Sequence, residues 1–180
     1  KIQLASDLHL EFLQSQWPGE RIIAPAPGAD VLVLAGDIAD GSEAFRLFAD
    51  WPSQPERVPI IYVAGNHEFY GHPIEPMRLK MKEDAARFNI HFLENDCVEI
   101  ASVRFLGATL WTDYQLRSDR SQAQQMEALE RGLNDHRLIR TGRKPFTAKD
   151  ALDRHIASRA WLISELAKPW DGRTVVVTHH

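Results

Sequence analysis

"PIIYVAGNHE", residues 59–68, runs an apolar stretch from Ile60 to Ala64 straight into Gly65, Asn66, His67 and Glu68. A short, uninterrupted run rich in β-branched residues and closed by glycine is the pattern of a strand buried on both faces, as parallel strands are. An amide, an imidazole and a carboxylate set where such a strand stops point to chemistry at its carboxyl end. The same arrangement recurs along the chain. "IQLAS" leads into Asp7, "VLVLAG" into Asp37 and "RTVVVT" into His179. Asp7, Asp37 and Asn66 lie 30 and 29 residues apart, about the length of a strand–helix–strand unit, with amphipathic segments between them. An α/β fold is expected.

The 180 residues, 44% apolar and 26% charged, suffice for one domain with a sizeable core. The longest apolar runs, Val31 to Ala35 and Val58 to Ala64, fall far short of the roughly 18–20 residues that span a bilayer. A single cysteine, Cys97, allows no internal disulfide and fits a reducing compartment. A cytoplasmic protein without a membrane partner is expected. Net charge is −4, yet residues 115–149 hold eight Lys or Arg against four Asp or Glu. This basic island reads first as a solvated helical face and second as an attractor of anions.

Phe45, Phe48 and Ala49 recur at helical spacing, as do Met77, Met81, Ala85 and Phe88; both sets are expected in the core. Residues 91–111 break instead at Asn95–Asp96 and again at Ala101–Ser102, which predicts antiparallel strands in a mixed sheet. From Ser118 to Leu166 the pattern is helical, with Met126, Leu129 and Leu133 on one face and Leu152, Ile156, Ile163 and Leu166 on another. "TAKD", residues 147–150, forms a capping box, and "RTGRKP" marks a loop.

Side chains just beyond the strand ends of an open α/β sheet meet in one crevice. Asp7, His9, Asp37, Asn66, His67 and His179 all hold such positions. Oxygen and imidazole donors without thiolate suit two divalent ions such as Mn, Fe or Zn, and a carboxylate can bridge them. Such a pair clamps a phosphoryl group and activates water for in-line attack. Taken singly, an Asp after a strand is a turn former or helix cap. The ordered conjunction carries the functional reading.

"DLH", "GDIAD", "GNHE" and "VVVTHH" resemble the successive motifs of the calcineurin-like metallophosphoesterases, from Asp7 to His180. The resemblance implies a four-layer α/β/β/α sandwich of two mixed sheets over 1–180, with a helical insert at about 112–168. It also implies roles: Asp7 and His9 on a first metal, Asp37 as the bridge, and Asn66 and His179 on a second, with His179 favoured over His180. His67 resembles the residue that contacts the substrate phosphate and assists the leaving group, and Asp40 the acid that orients His67. The family's final Gly-His-x-His motif is not reached before His180, and the chain opens at Lys1 without methionine. A longer native protein, with its metal site completed beyond His180, is therefore expected.

Glu68 is expected to support its loop. His72, His91, His136 and His155 are expected as solvent-facing residues, and Cys97 as unreactive. Trp111, Tyr114 and the arginines between 117 and 143 suggest either a packed helical insert or a wall over the site. Together these features imply a metal-dependent phosphoesterase that hydrolyses a phosphomonoester or phosphodiester by attack of a metal-activated water. The alternatives are a non-catalytic scaffold of the same fold, or a nuclease, with nucleic acid disfavoured by the overall acidity.

Overall fold

The computed structural model describes residues 1–16, 23–51 and 57–180. Strands β1 (Ile2–Ala5), β2 (Val31–Ala35), β3 (Ile60–Val63) and β4 (His91–Phe92) form one sheet in that order, every pair parallel. Helices α1 (Leu10–Gln16), α2 (Glu43–Leu47) and α3 (Ile74–Arg87) fall between them. A two-residue turn with positive φ at Ala101 and Ser102 joins β5 (Asp96–Ile100) to β6 (Val103–Thr109) as an antiparallel pair. Next come α4 (Gln122–Gly132), α5 (Asp135–Leu138), a small hairpin of β7 (Arg140–Thr141) and β8 (Lys144–Pro145), and α6 (Ala148–Leu166). Strand β9 (Arg173–His179) then pairs parallel with β6 and completes a mixed second sheet. One of the two expected mixed sheets is thus mixed. The other, among the described residues, is parallel throughout, because the segments between its strands return the chain to the same starting edge.

The pleat explains why β2 and β3 of the first sheet are apolar without alternation. Leu32, Leu34, Ile60 and Tyr62 face a core shared with Phe45, Phe48, Met77, Met81 and Ala85 of the helical layer. Val31, Val33, Ile61 and Val63 face the other way, onto Leu93 just after β4 and onto Phe105 and Val177 of the second sheet. Each such side chain, fully buried, contributes roughly 1.5–3 kcal/mol. On the second sheet Arg104 reaches across to α6, donating from Nη1 to the Glu165 carbonyl at 3.0 Å.

Several local expectations are corrected. "RTGRKP" is the β7–β8 hairpin rather than an open loop, since Gly142 supplies the positive φ its turn needs. Ile156, Ile163 and Leu166 are half-exposed; α6 buries Ala148, Ala151, Ser158 and Leu162 instead. His136 is buried rather than solvent-facing, its Nδ1 2.9 Å from the Phe146 carbonyl. His155 is likewise engaged, its Nδ1 3.0 Å from the Trp111 carbonyl. Thr147 and Asp150 form the expected capping box, and Ser121 with Gln124 forms a second. Within the basic island, Arg117 pairs with Asp119 and Arg131 with Glu127, so part of its charge is neutralised locally.

Candidate metal centre

The loops that leave the parallel strands are laced together before any side chain contributes. Asp7, His9 and Leu10 donate backbone N–H groups to the carbonyls of Gly36, Asp37 and Ile38 at 3.0, 3.1 and 2.9 Å. Pairing between β1 and β2 therefore continues past the strand ends. Glu68, fully buried on the single turn of 3₁₀ helix His67–Phe69, ties the next loop in. Its Oε1 accepts from Ile38 N (2.9 Å) and Tyr62 Oη (2.6 Å), and its Oε2 from Asp37 N (3.1 Å) and Gly65 N (2.8 Å). Burial pushes this carboxyl above its ordinary range, while the Tyr62 and Ile38 hydrogen bonds oppose that. Four donors reach its two oxygens, so the ionised form fits the geometry.

The second sheet is secured at the same edge. Thr109 donates its hydroxyl to the Ala64 carbonyl at 2.7 Å, and Leu110 N donates to the His179 carbonyl at 2.9 Å. His179 Nδ1 lies 2.7 Å from the Ala35 carbonyl at the end of β2. That acceptor places the proton on Nδ1 and turns Nε2 toward Asp37.

Asp37 is the focus. Its Oδ1 accepts from the His67 backbone N–H at 3.0 Å. Around its Oδ2 stand the Nε2 atoms of His179, His67 and His9 at 3.5, 3.9 and 4.0 Å. Asp7, His9 and Asp37 form one group spaced to hold an ion, and His9, Glu11 and His67 another. The glycines make this closeness possible. A Cβ at Gly36 would lie 2.2 Å from His179 Cγ, and one at Gly65 would lie 2.1 Å from Asp37 Oδ1. Asp7, His9 and Asp37 all sit at positive φ (54°, 46° and 54°). Such backbone costs about 1–3 kcal/mol for a non-glycine residue, and its concentration at one edge marks a functional constraint.

The structure therefore brings Asp7, His9, Asp37, His67 and His179 together. Asn66 stands beside them at the end of β3, its Nδ2 donating to Asp135 Oδ1 at 2.8 Å and to Tyr70 Oη at 3.1 Å. Asp40 is placed differently. Its Oδ1 lies 3.7 Å from His72 Nε2, and among the described residues no ion pair within 4.0 Å joins it to His67. The carboxylate beside His67 Nδ1 is Glu11, at 3.9 Å, and the same oxygen lies 3.4 Å from His9 Nδ1. Glu11 went unread although it follows His9 by only two positions; Asp135 carried no sequence signal at all. An open cleft of about 410 Å³, lined by Asn66, Tyr70, Trp111, Asp135 and His180 among others, adjoins the group.

The donor set fits divalent ions. Nitrogen and oxygen atoms converge with no thiolate, and Glu11 Oε2 is buried without a hydrogen-bond partner. Burial works against the Asp37 carboxylate, yet His179 and the His67 N–H hold its pKa below the ordinary value. Burial likewise works against the His179 imidazolium, but Asp37 and the Ala35 carbonyl carry its pKa up to about 9. A raised histidine stabilises the fold fully below its unfolded value of about 6.5 and loses that contribution as pH rises through about 9. The metal-free protein should therefore melt at progressively lower temperature from pH 6.5 to 9. Scanning calorimetry in EDTA checks this, and added Mn²⁺ should flatten the dependence, because metal binding requires neutral imidazole.

A family model described as calcineurin-like phosphoesterase matches residues 1–180. The chain is similar to uncharacterized protein L509 of Acanthamoeba polyphaga mimivirus, 26% identical over 155 residues, which cover 77% of this chain and 51% of that protein. It thus spans about half the length of the curated relative it matches. Among solved structures, a phosphopantetheinyl hydrolase (PptH) from Mycobacterium tuberculosis superposes with a TM-score of 0.72 at 20% identity, covering 99% of this chain and 67% of that one. The likeness is one of fold. No helix among the described residues is long and apolar enough to cross a membrane.

Proposed function

The chain belongs to the calcineurin-like phosphoesterase family, and we propose that it is a metal-dependent phosphoesterase hydrolysing a phosphomonoester or phosphodiester. The observation that carries this reading is the convergence of three imidazole Nε2 atoms on one oxygen of the buried Asp37 carboxylate. Asp7, His9, Asp37, Asn66 and His179 would hold two divalent ions, with Asp37 between them. Bound there, the ions would neutralise phosphoryl charge and lower the pKa of an attacking water. The chain's own work is positional and acid–base. Glu68 and the strained loops hold Asp37, the Ala35 carbonyl selects the His179 tautomer, and His67 is kept beside Asp37 by its backbone N–H. His67 gives a proton or hydrogen bond to the departing oxygen.

His67→Ala should leave bound metal nearly unchanged while slowing turnover by roughly 10²–10⁴, the usual worth of general acid help. Alkyl esters, with poor leaving groups, should lose more than nitrophenyl esters. Bound Mn²⁺ and kcat on esters of graded leaving-group pKa check this. Equal losses across the series would reduce His67 to a phosphate contact, and lost metal would make it a ligand. Asp40→Asn and Glu11→Gln assign the orienting acid: the true partner of His67 reproduces the leaving-group dependence in milder form.

A further inference from the structure

We infer that Asp135, on α5, is a positioning residue of the metal centre: it holds the Asn66 amide so that only Oδ1 remains to face an ion. The inference rests on the metal-centre reading above and assigns a role to a part of the chain outside the four motifs. A carboxylate can only accept hydrogen bonds, so the atom of Asn66 that lies 2.8 Å from Asp135 Oδ1 must be the amide nitrogen. Tyr70 Oη closes a triangle, donating to the same Asp135 oxygen at 2.8 Å and accepting from Asn66 Nδ2 at 3.1 Å. Both acceptors thus lie on the same side of the amide nitrogen. A flipped amide would put Oδ1 against the carboxylate with no proton between them, so the carboxylate decides which atom is left for a ligand.

Asp135 is itself held in place by contacts on both sides of α5. Gly71 N donates to the Leu138 carbonyl at 2.9 Å and Arg140 N to the His72 carbonyl at 3.1 Å, pinning the α5 segment to the chain just after the Asn66 loop. Behind it, buried His136 lies 2.9 Å from the Phe146 carbonyl through Nδ1 and 3.3 Å from Tyr114 Oη through Nε2. His136, read from sequence as a surface residue, is thus part of the support that presents Asp135. In this role the region between the third and fourth motifs is a clamp on the second-ion ligand, reached across 69 residues of sequence.

Outer partners that orient a metal ligand are typically worth 10–100-fold in metal affinity. Asp135→Ala should raise the Mn²⁺ concentration for half-maximal binding, measured by titration calorimetry, by about that factor. The loss of phosphoesterase rate should be larger at limiting than at saturating Mn²⁺. In metal-free protein, the Asn66 side-chain amide protons should exchange slowly by NMR in wild type and faster in the variant. Asp135→Asn, whose carbonyl oxygen can still accept both bonds, should restore most of each property. A merely structural role would lower the melting temperature alone; a folded Asp135→Ala with wild-type Mn²⁺ titration and Asn66 exchange overturns the inference. Should that variant not fold, Asp135→Ser, whose hydroxyl is one bond too short, is judged by the same two measurements. Wild-type protein that binds no Mn²⁺ would sink the phosphoesterase reading and this inference together, whereas Mn²⁺ binding unaffected by the variants sinks only the inference.

Discussion

Asp37→Asn is expected to cut hydrolysis by at least about 10⁴ and to strip both ions, with the fold retained. The substitution keeps the size of the side chain, and Oδ1 can still accept from His67 N. What it removes is the negative charge on the oxygen around which His9, His67 and His179 gather. An amide carries no negative charge and offers one ligating oxygen, so it cannot bridge two cations as a carboxylate does. Metal-ion stabilisation of a phosphoryl transition state amounts to several kcal/mol, and each 1.36 kcal/mol is tenfold in rate. The change also removes the anion that raises the His179 pKa, so the fall in melting temperature between pH 6.5 and 9 should largely disappear. Metal content, kcat and that pH dependence are three separate measurements on one variant. Retained ions with normal turnover would refute the bridging role, and an unaltered pH dependence would refute the Asp37–His179 pairing.

Glu68→Ala should produce the largest loss of stability. The substitution leaves three backbone N–H groups, those of Asp37, Ile38 and Gly65, and the Tyr62 hydroxyl without their acceptor. A buried group left unsatisfied costs about 1–3 kcal/mol, so even with water entering the space a total of about 4 kcal/mol or more is expected. That is a large share of the roughly 5–15 kcal/mol by which folded proteins are stable. Tyr62→Phe, which removes one donor and leaves the carboxylate three, should cost only about 1 kcal/mol. Urea denaturation in EDTA separates these effects from metal binding. A loss below about 1 kcal/mol for Glu68→Ala would mean that the loops are held by their backbone lacing and not by this carboxylate.

Strands β2 and β3 were legible because a strand buried on both faces must be apolar throughout, and β1 and β9, partly exposed, because their apolar runs also stop at a polar cluster. Helices α2 and α3 were legible because Phe45, Phe48, Met77, Met81 and Ala85 repeat at the period that keeps one face inside. Local signals failed where packing overrode them. Ile156, Ile163 and Leu166 look like a buried stripe but stand on the outer side of α6, and β7–β8 is too short to show a period. His136 illustrates the same limit, since whether an isolated histidine is buried depends on what packs around it.

For the centre, Asp7, His9, Asp37, Asn66, His67 and His179 could be picked out because strand ends converge in any open α/β sheet, so position along the chain stands in for position in space. That shortcut holds only for residues at strand ends. Glu11, on α1, comes to lie against His9 and His67 because the helix turns its first residues back toward the crevice. Asp40, assigned by motif to His67, lies instead beside His72, because which groups touch within a loop is set by backbone dihedrals that no spacing encodes. Asp135 reaches Asn66 across 69 residues, through an α5 segment pinned to the neighbouring loop. Residue type and order specify which donors a chain can bring to a site. Their distances, tautomers and amide orientation follow from long-range contacts that form only when the core excludes water and every buried polar group must find a partner.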